Sequence, residues 1–290
     1  MADALNVAVL GAGGTMGSGM ARNIAHAGIE LSVWDRTRAK VEPLAAEGAR
    51  IGATPAEAAA DADVIVTMLP DADIVLATMC SEHGGLAGAR DGSVWVQMST
   101  IGEQGTERCI EVVGQLGVEF VDAPVLGTKQ PAADGKLVVM ASGPEQLRDR
   151  VQPVFDAVGQ RTIWVGEAGA GSRLKLVTNA WLVSVVAGVA DAVTLAQGLD
   201  LDPALFLEAI AGQALDAPYA RIKAQAMIDR DFEPTFALKH AAKDARLAVD
   251  AAERRELDLP VLAAIARRMA EAVPAHGDED VSATYLRSAP

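Results

Sequence analysis

Aromatic side chains are scarce in this chain: Phe, Trp and Tyr make up 4% of its 290 residues. That shortage excludes an aromatic-rich β-sandwich core. The apolar half of the composition, largely Ala, Val and Leu, suits helices packed on a Val/Ile-rich sheet. Cysteine occurs only at Cys80 and Cys109, too few for a disulfide framework or a zinc site. The histidines, His26, His83, His240 and His276, show no HxxxH or HxH spacing, so no metal site is expected. Positive charge is also short: 25 Lys and Arg face 39 Asp and Glu, a formal net charge of −14. A surface this acidic repels phosphate backbones and anionic lipids, so neither nucleic acid nor a membrane is an expected partner. No basic, apolar leader precedes the first strand pattern. The longest apolar stretch, residues 180–190, is broken by Ser184 and falls short of the roughly 20 residues that span a bilayer. A cytoplasmic location is the expectation.

What is present is a regular alternation. Short apolar strands are expected at 7–10, 31–34, 64–68, 94–97 and 119–121, with helical patterns at 16–27, 38–47, 71–79 and 104–116 between them. Alternation of this kind means an α/β fold, a Rossmann-like doubly wound parallel sheet. Two further strands, 137–141 and 162–165, flank a helix near 144–158 and are expected to extend the same sheet. The character changes at 166–172 (GEAGAGS), after which strand patterns almost vanish. One long apolar helix is expected over 172–199. Asp202 suits an N-cap, with Pro203 at the first helical position. Helices follow at 217–229, 238–255, 261–272 and 280–287, punctuated by Pro234, Pro260 and Pro274. The expected division is therefore an α/β domain over 1–165 and an all-helical domain over 166–290.

The first strand runs into Gly11-Ala12-Gly13-Gly14-Thr15-Met16-Gly17. Glycines here allow a tight turn and let backbone N–H groups approach a pyrophosphate, with the positive end of the next helix dipole behind them. The spacing is GxxGxxG through Gly11, Gly14 and Gly17 rather than a strict GxGxxG. A strand before, a helix after and an acidic residue ending the next strand point to a dinucleotide site. That acidic residue, Asp35, sits where a carboxylate accepts adenosine ribose hydroxyls and signals NAD. Arg36 and Thr37 follow it and suit a 2′-phosphate instead. The two signals conflict, and NADP is slightly favoured over NAD.

Lys175 interrupts an apolar helical run, Leu174-Lys175-Leu176-Val177. Burial disfavours an ammonium and moves a lysine toward the neutral amine that a general base needs. Asn179, four residues on, shares its helix face and can bond the amine or a substrate oxygen.

In order, the chain carries Thr15-Met16-Gly17 with Met20-Ala21-Arg22-Asn23, then Met68-Leu69-Pro70, Met98-Ser99-Thr100 and Asp122-Ala123-Pro124-Val125. Gly135-Lys136-Leu137, Lys175 with Asn179, and Lys243-Asp244 follow. This series resembles the β-hydroxyacid dehydrogenases, the group containing 3-hydroxyisobutyrate dehydrogenase and tartronate semialdehyde reductase, over nearly the whole chain. The resemblance implies an NAD(P)-dependent oxidoreductase acting on a small β-hydroxyacid or its semialdehyde. It also implies a 6-phosphogluconate dehydrogenase-like C-terminal domain and a homodimer or homotetramer. It makes Lys175 the catalytic lysine, with Asn179 beside it. Met68, Leu69, Pro70, Thr100 and Lys243 then approach the cofactor, while Ser99 and Asp244 serve the substrate side. Relatives follow the Asp-Ala-Pro-Val segment with Ser-Gly-Gly, which binds the substrate carboxylate. Here Leu126-Gly127-Thr128 stands instead. Leu126 offers no side-chain donor, so Gly127, Thr128 and the loop lysine Lys129 are left for that task, and a bulkier or less polar substrate is expected.

Two other readings compete. An NADPH-dependent imine reductase shares the fold, but relatives of that kind generally lack the lysine. A non-catalytic NADP-binding scaffold would also be expected to have lost it.

Overall fold

Runs of Val, Ile and Ala with no polar residue at alternate positions make strands that are buried on both faces. Such runs are β1 (Asn6–Leu10), β4 (Val64–Thr67) and β5 (Val94–Gln97). The computed structural model describes residues 5–114 and 116–289. After β1 come α1 (Thr15–His26), β2 (Glu30–Trp34), β3 (Arg50–Ile51) and α2 (Pro55–Ala59), then β4. Helices α3 (Ala72–Cys80) and α4 (Gly85–Gly88) lead to β5, and α5 (Gly102–Val113) leads to β6 (Glu119–Asp122). These strands form one parallel sheet in the order β3-β2-β1-β4-β5-β6. The chain winds outward from β1 through β2 and β3, then returns to the other side at β4. The C-terminal ends of β1 and β4 therefore flank the crevice in which such sheets bind ligands.

The register lines Val33, Val9, Val66, Val96 and Val121 across one face. On the other face Ala8, Ile65, Trp95 and Phe120 line up, and the last two rings meet edge-on at 5.3 Å. Both faces are covered, so no residue of β4 or β5 is exposed.

The chain continues through β7 (Val125–Leu126), α6 (Lys129–Ala133), β8 (Leu137–Ala141), α7 (Arg148–Val158) and β9 (Gly159–Trp164). Strands 137–141 and 162–165 do not extend the first sheet as expected from sequence. They form a second, three-stranded sheet, β7-β8-β9. The reason lies at the end of β6, where Asp122 bridges Ser142 in antiparallel sense. Strand β8 thus runs against the direction of the first sheet and takes β7 and β9 as its partners.

Other differences are local. The 38–47 helix is two 3₁₀ segments, Arg38–Lys40 and Glu42–Glu47, since Pro43 has no N–H for an α-helical bond. Position 115 of the expected 104–116 helix lies outside the described residues. The last helix is a 3₁₀ turn series, Val281–Arg287.

The second half contains α8 (Ala170–Gly198), α9 (Ala204–Ile210), α10 (Pro218–Asp229), α11 (Leu238–Glu253) and α12 (Pro260–His276). Helix α9 starts at Ala204, one residue later than expected, and Asp202 still accepts its first N–H at 2.9 Å. Helix α12 passes through Pro274, which sequence reading took as a stop. Helix α8 is, by length and composition, long and apolar enough to cross a membrane. The sequence expectation counted uninterrupted apolar residues and so missed this. Val183, Val186, Val189, Ala190 and Val193 of α8 lie in the helical core with Leu238, Ala245 and Met269, which accounts for part of its apolar character, while Val177, Trp181 and Leu195 stay exposed.

The chain divides into two compact units, Met1–Lys175 and Leu176–Pro290. The division falls inside α8, because the N–H groups of Gly171 and Ser172 bond to Ser142 and Asp122 of the α/β unit.

Candidate active site

Leu10 ends β1, and the next residue must turn back beneath the end of β4. Gly11 does so at φ +95°, and a Cβ there would lie 2.3 Å from the Met68 carbonyl oxygen. Gly17, in the first turn of α1, would carry a Cβ 2.2 Å from the Gly11 oxygen. Both positions are closed to any side chain. Gly14 precedes α1 without a side-chain cap, and the first turn holds no acidic residue. Thr15 is exposed and Met16 half-buried beside it. A helix start stripped of side chains, caps and negative charge fits the pyrophosphate of a dinucleotide.

Asp35 is committed to the backbone. Its Oδ2 accepts the Gly13 N–H at 3.1 Å and its Oδ1 the Thr37 N–H at 2.8 Å. Gly13 is itself wedged between the Asp35 carboxyl and the Lys40 stem. Arg36, Thr37, Arg38 and Lys40 are exposed around it, a cationic cluster in a chain that is otherwise strongly acidic.

A buried polar relay sets the next strand ends. The Trp95 Nε1–H donates to Thr67 Oγ1 at 3.0 Å, and Gln97 Oε1 accepts the Ser99 N–H at 2.7 Å. Gln97 Nε2 donates to the Ser99 carbonyl at 2.8 Å. Ser99 Oγ then accepts the Leu69 N–H at 2.8 Å. Ser99 is therefore fully buried and holds the Met68-Leu69-Pro70 turn from beneath, with half-buried Thr100 next to it. Leu69 reaches back toward the glycine turn: its Cδ2 would be 2.9 Å from a Cβ on Gly11.

Leu126 at the end of β7 and Gly127 and Thr128 in the turn that follows are half-buried, and Lys129, which begins α6, is exposed. Gly127 takes φ +136°, with Leu137 Cδ2 2.6 Å from where a Cβ would stand. This loop is anchored on α1, since Asn23 Nδ2 donates to the Ala132 carbonyl at 2.8 Å and Gly19 lets the α6 backbone approach.

On α8, Ser172, Lys175 and Asn179 recur at i, i+3 and i+7, and all three are buried; Lys175 is 7% exposed. Asn179 Nδ2 donates to Asp244 Oδ2 at 2.7 Å, and Lys243 Nζ lies 3.0 Å from Asp244 Oδ1. The carboxylate thus fixes the amide, and Asn179 Oδ1 is left as a buried acceptor with no hydrogen-bond partner. An unused buried acceptor is costly and marks a place for a donor. Asn179, Lys243 and Asp244 are thus one cluster of the helical unit. The glycine turn, Asp35, Leu69, Ser99 and the 126–128 loop belong to the α/β unit.

Two features escaped sequence reading. Gln97 and Asp122 were visible as polar residues ending apolar strands. Their partners, Thr67 and Ser99 for one and Ser142 and Ser172 for the other, come from distant segments that no local pattern connects. Burial pushes the Asp122 carboxyl up to about 6, against the pull of its Ser172 and Ser142 donors.

The model for the NAD binding domain of 6-phosphogluconate dehydrogenase matches residues 6–166. That for the NAD-binding region of NADP-dependent 3-hydroxyisobutyrate dehydrogenase matches 169–287. The chain is 34% identical over 272 residues to glyoxylate/succinic semialdehyde reductase 2, chloroplastic, of Arabidopsis thaliana, covering 93% of this chain and 76% of that one. Among solved structures, 3-hydroxyisobutyrate dehydrogenase from Salmonella typhimurium superposes with a TM-score of 0.88 at 28% identity, over 97% and 99% of the two chains. The Mycobacterium tuberculosis 3-hydroxyisobutyrate dehydrogenase, solved with L-serine, gives 0.87 at 29% identity, over 98% of each. A reductive aminase from Aspergillus terreus, over 97% and 98%, gives 0.65 at 21% identity, a likeness of fold alone. Matches across both halves, joined to a dinucleotide cradle that only glycine can build, establish that this chain belongs to the β-hydroxyacid dehydrogenase family and is an NAD(P)-dependent oxidoreductase.

Proposed function

We propose that Lys175 is the general acid–base of this dehydrogenase and that Asn179 orients its substrate. The observation that carries the proposal is a lysine buried on the same helix face as an amide whose orientation is locked by Asp244. A bound nicotinamide supplies the hydride acceptor for oxidation and the donor for reduction. Lys175 takes the hydroxyl proton in one direction and returns it in the other. The free Asn179 Oδ1 accepts a hydrogen bond from the substrate hydroxyl or the amine, and Lys243 keeps Asp244 paired.

NADP is the cofactor best supported. Each Asp35 oxygen already accepts one backbone N–H, which leaves one acceptor site on each for ribose hydroxyls. Exposed Arg36, Thr37, Arg38 and Lys40 suit a 2′-phosphate. The half-buried Leu126 offers methyl groups where relatives offer a hydroxyl, which supports a substrate with an apolar group beside its carboxylate.

A homo-oligomer is supported by the apolar stripe that α8 leaves uncovered, with Val177, Trp181 and Leu195 each more than half exposed. A reducing, cytoplasmic home is supported by the free thiols of Cys80 and Cys109. The test of the whole reading is turnover with NADP(H) and NAD(H) on a panel of β-hydroxyacids, their semialdehydes and cyclic imines. Activity on β-hydroxyacids or semialdehydes is the expected result. Exclusive reduction of imines would overturn it in favour of an imine reductase, and inactivity with tight NADPH binding would favour a scaffold.

A further inference from the structure

The carboxylate of Asp122 is fully buried at the end of β6, and no chemical step uses it. It takes donors from segments far apart in the chain. Oδ2 accepts the Ser172 N–H at 2.7 Å and the Ser142 hydroxyl at 3.1 Å, and Oδ1 accepts the Ser172 hydroxyl at 2.7 Å. Ser142 Oγ in turn accepts the Gly171 N–H at 2.9 Å. Gly171 and Ser172 form the first turn of α8, whose N–H groups have no acceptor within the helix. A strand 50 residues earlier therefore takes the place of an N-cap, and its negative charge sits at the favourable end of the helix dipole. The fit is close: a Cβ on Gly171 would lie 2.2 Å from the Met140 carbonyl oxygen. Ser172 Oγ also lies 2.9 Å from Thr106 Oγ1 of α5. These contacts fix both the axial position and the rotation of the start of α8.

Lys175 follows Ser172 by three residues on the same buried face. We propose that Asp122 is a positioning residue for Lys175: by clamping Ser172 it sets the direction from which the Lys175 amine meets the reacting oxygen. This rests on the reading of Lys175 as the general acid–base. Misplacement of a catalytic group by about 1 Å costs on the order of 100-fold in rate, so the clamp has kinetic consequences that its contribution to folding does not predict.

The test is a double-mutant cycle of Asp122→Asn and Lys175→Ala. The Asp122→Asn change is near-isosteric but puts an NH₂ group in place of one acceptor oxygen at the Ser172 contacts. The expected result is kcat lowered about 10- to 100-fold in Asp122→Asn, with the NADPH dissociation constant, read by fluorescence, within about twofold of wild type. In the Lys175→Ala background the same change should alter kcat by no more than about twofold. Losses that multiply in the double variant would place the effect of Asp122 elsewhere and overturn the positioning role alone. Wild-type kcat in Asp122→Asn would overturn it too. Near-normal turnover in Lys175→Ala by itself would sink both this proposal and the general-base reading. Should Asp122→Asn fail to fold, Ser172→Ala keeps the N–H contact and removes the hydroxyl one. A few-fold loss confined to the Lys175-containing background is then expected, and additive losses would overturn the proposal.

Discussion

At the scale of single residues, the proposed roles of Lys175 in proton transfer and of Arg36 at a 2′-phosphate are separable. Lys175→Ala removes the proton acceptor and leaves the glycine turn untouched, so turnover should fall about 10²–10⁴-fold with NADPH affinity unchanged in a binding titration. Lys175→Arg should also be poor, because a guanidinium stays protonated. The basic group seen in the pH profile of oxidation should vanish in the alanine variant. Arg36→Ala should weaken NADPH by about 10- to 150-fold, the worth of a charge-assisted hydrogen bond of about 1.5–3 kcal/mol, and leave NADH almost unaffected. Equal losses on both cofactors would return the choice to Asp35. Both residues were singled out from sequence, because a lysine in an apolar run and a charge at a strand end stand out locally; the structure adds that Lys175 is buried and Arg36 exposed. What Asp35 does was not legible. Its engagement by Gly13 and Thr37 depends on how the loop after β2 folds back on the glycine turn.

At the scale of elements, two glycines that both take positive φ should behave differently. Gly11 (φ +95°) has the Met68 carbonyl in the way of any Cβ, whereas Gly28 (φ +77°), which follows α1, has nothing within 4 Å. Gly28→Ala should cost only the left-handed conformational penalty of about 1–2 kcal/mol and keep the thermal shift induced by NADPH. Gly11→Ala should abolish that shift, because the turn must move to admit the methyl group. A preserved shift in Gly11→Ala would show that the cradle is looser than its geometry indicates. The six-stranded parallel sheet was readable because its strands are continuous apolar runs joined by amphipathic helices. The second sheet was not, since it is built by pairing β8 with β7 and β9 and meets β6 through the antiparallel Asp122–Ser142 bridge across 20 residues, long-range pairings that no local pattern shows. The two-residue strands β3 and β7 are too short to carry any periodic signal.

At the scale of the whole molecule, the helical unit holds a buried ion pair between Lys223 and Asp280. Lys223 Nζ donates to both oxygens of Asp280, at 2.7 and 2.9 Å, and each partner is 2% exposed. Asp280 also accepts from the Thr235 and Ser282 hydroxyls, at 2.8 Å each. Burial pushes its carboxyl up, but the Lys223 ammonium and the Ser282 and Thr235 donors outweigh that and hold it at about 2. Lys223→Ala leaves the carboxylate buried and unpaired, and should cost about 3–5 kcal/mol in urea unfolding at pH 7. The folded carboxyl titrates below its unfolded value of about 3.9. Its stabilisation is therefore complete above about pH 5 and lost as pH falls toward 2. Lys223→Ala should show a shallower acid slope, and an unchanged one would assign the low value to the hydroxyl and backbone donors. The same whole-chain view has a practical side for anyone who recombines these enzymes. Because the first turn of α8 bonds into the α/β unit while the rest of the helix builds the other, a cut at 166 would strip Asp122 of both Ser172 donors and leave its carboxylate with the Ser142 hydroxyl. A transplantable cofactor module should instead end beyond Lys175, and chimeras that exchange helical domains between relatives must inherit Asp122, Ser142 and Ser172 as a single heritable block.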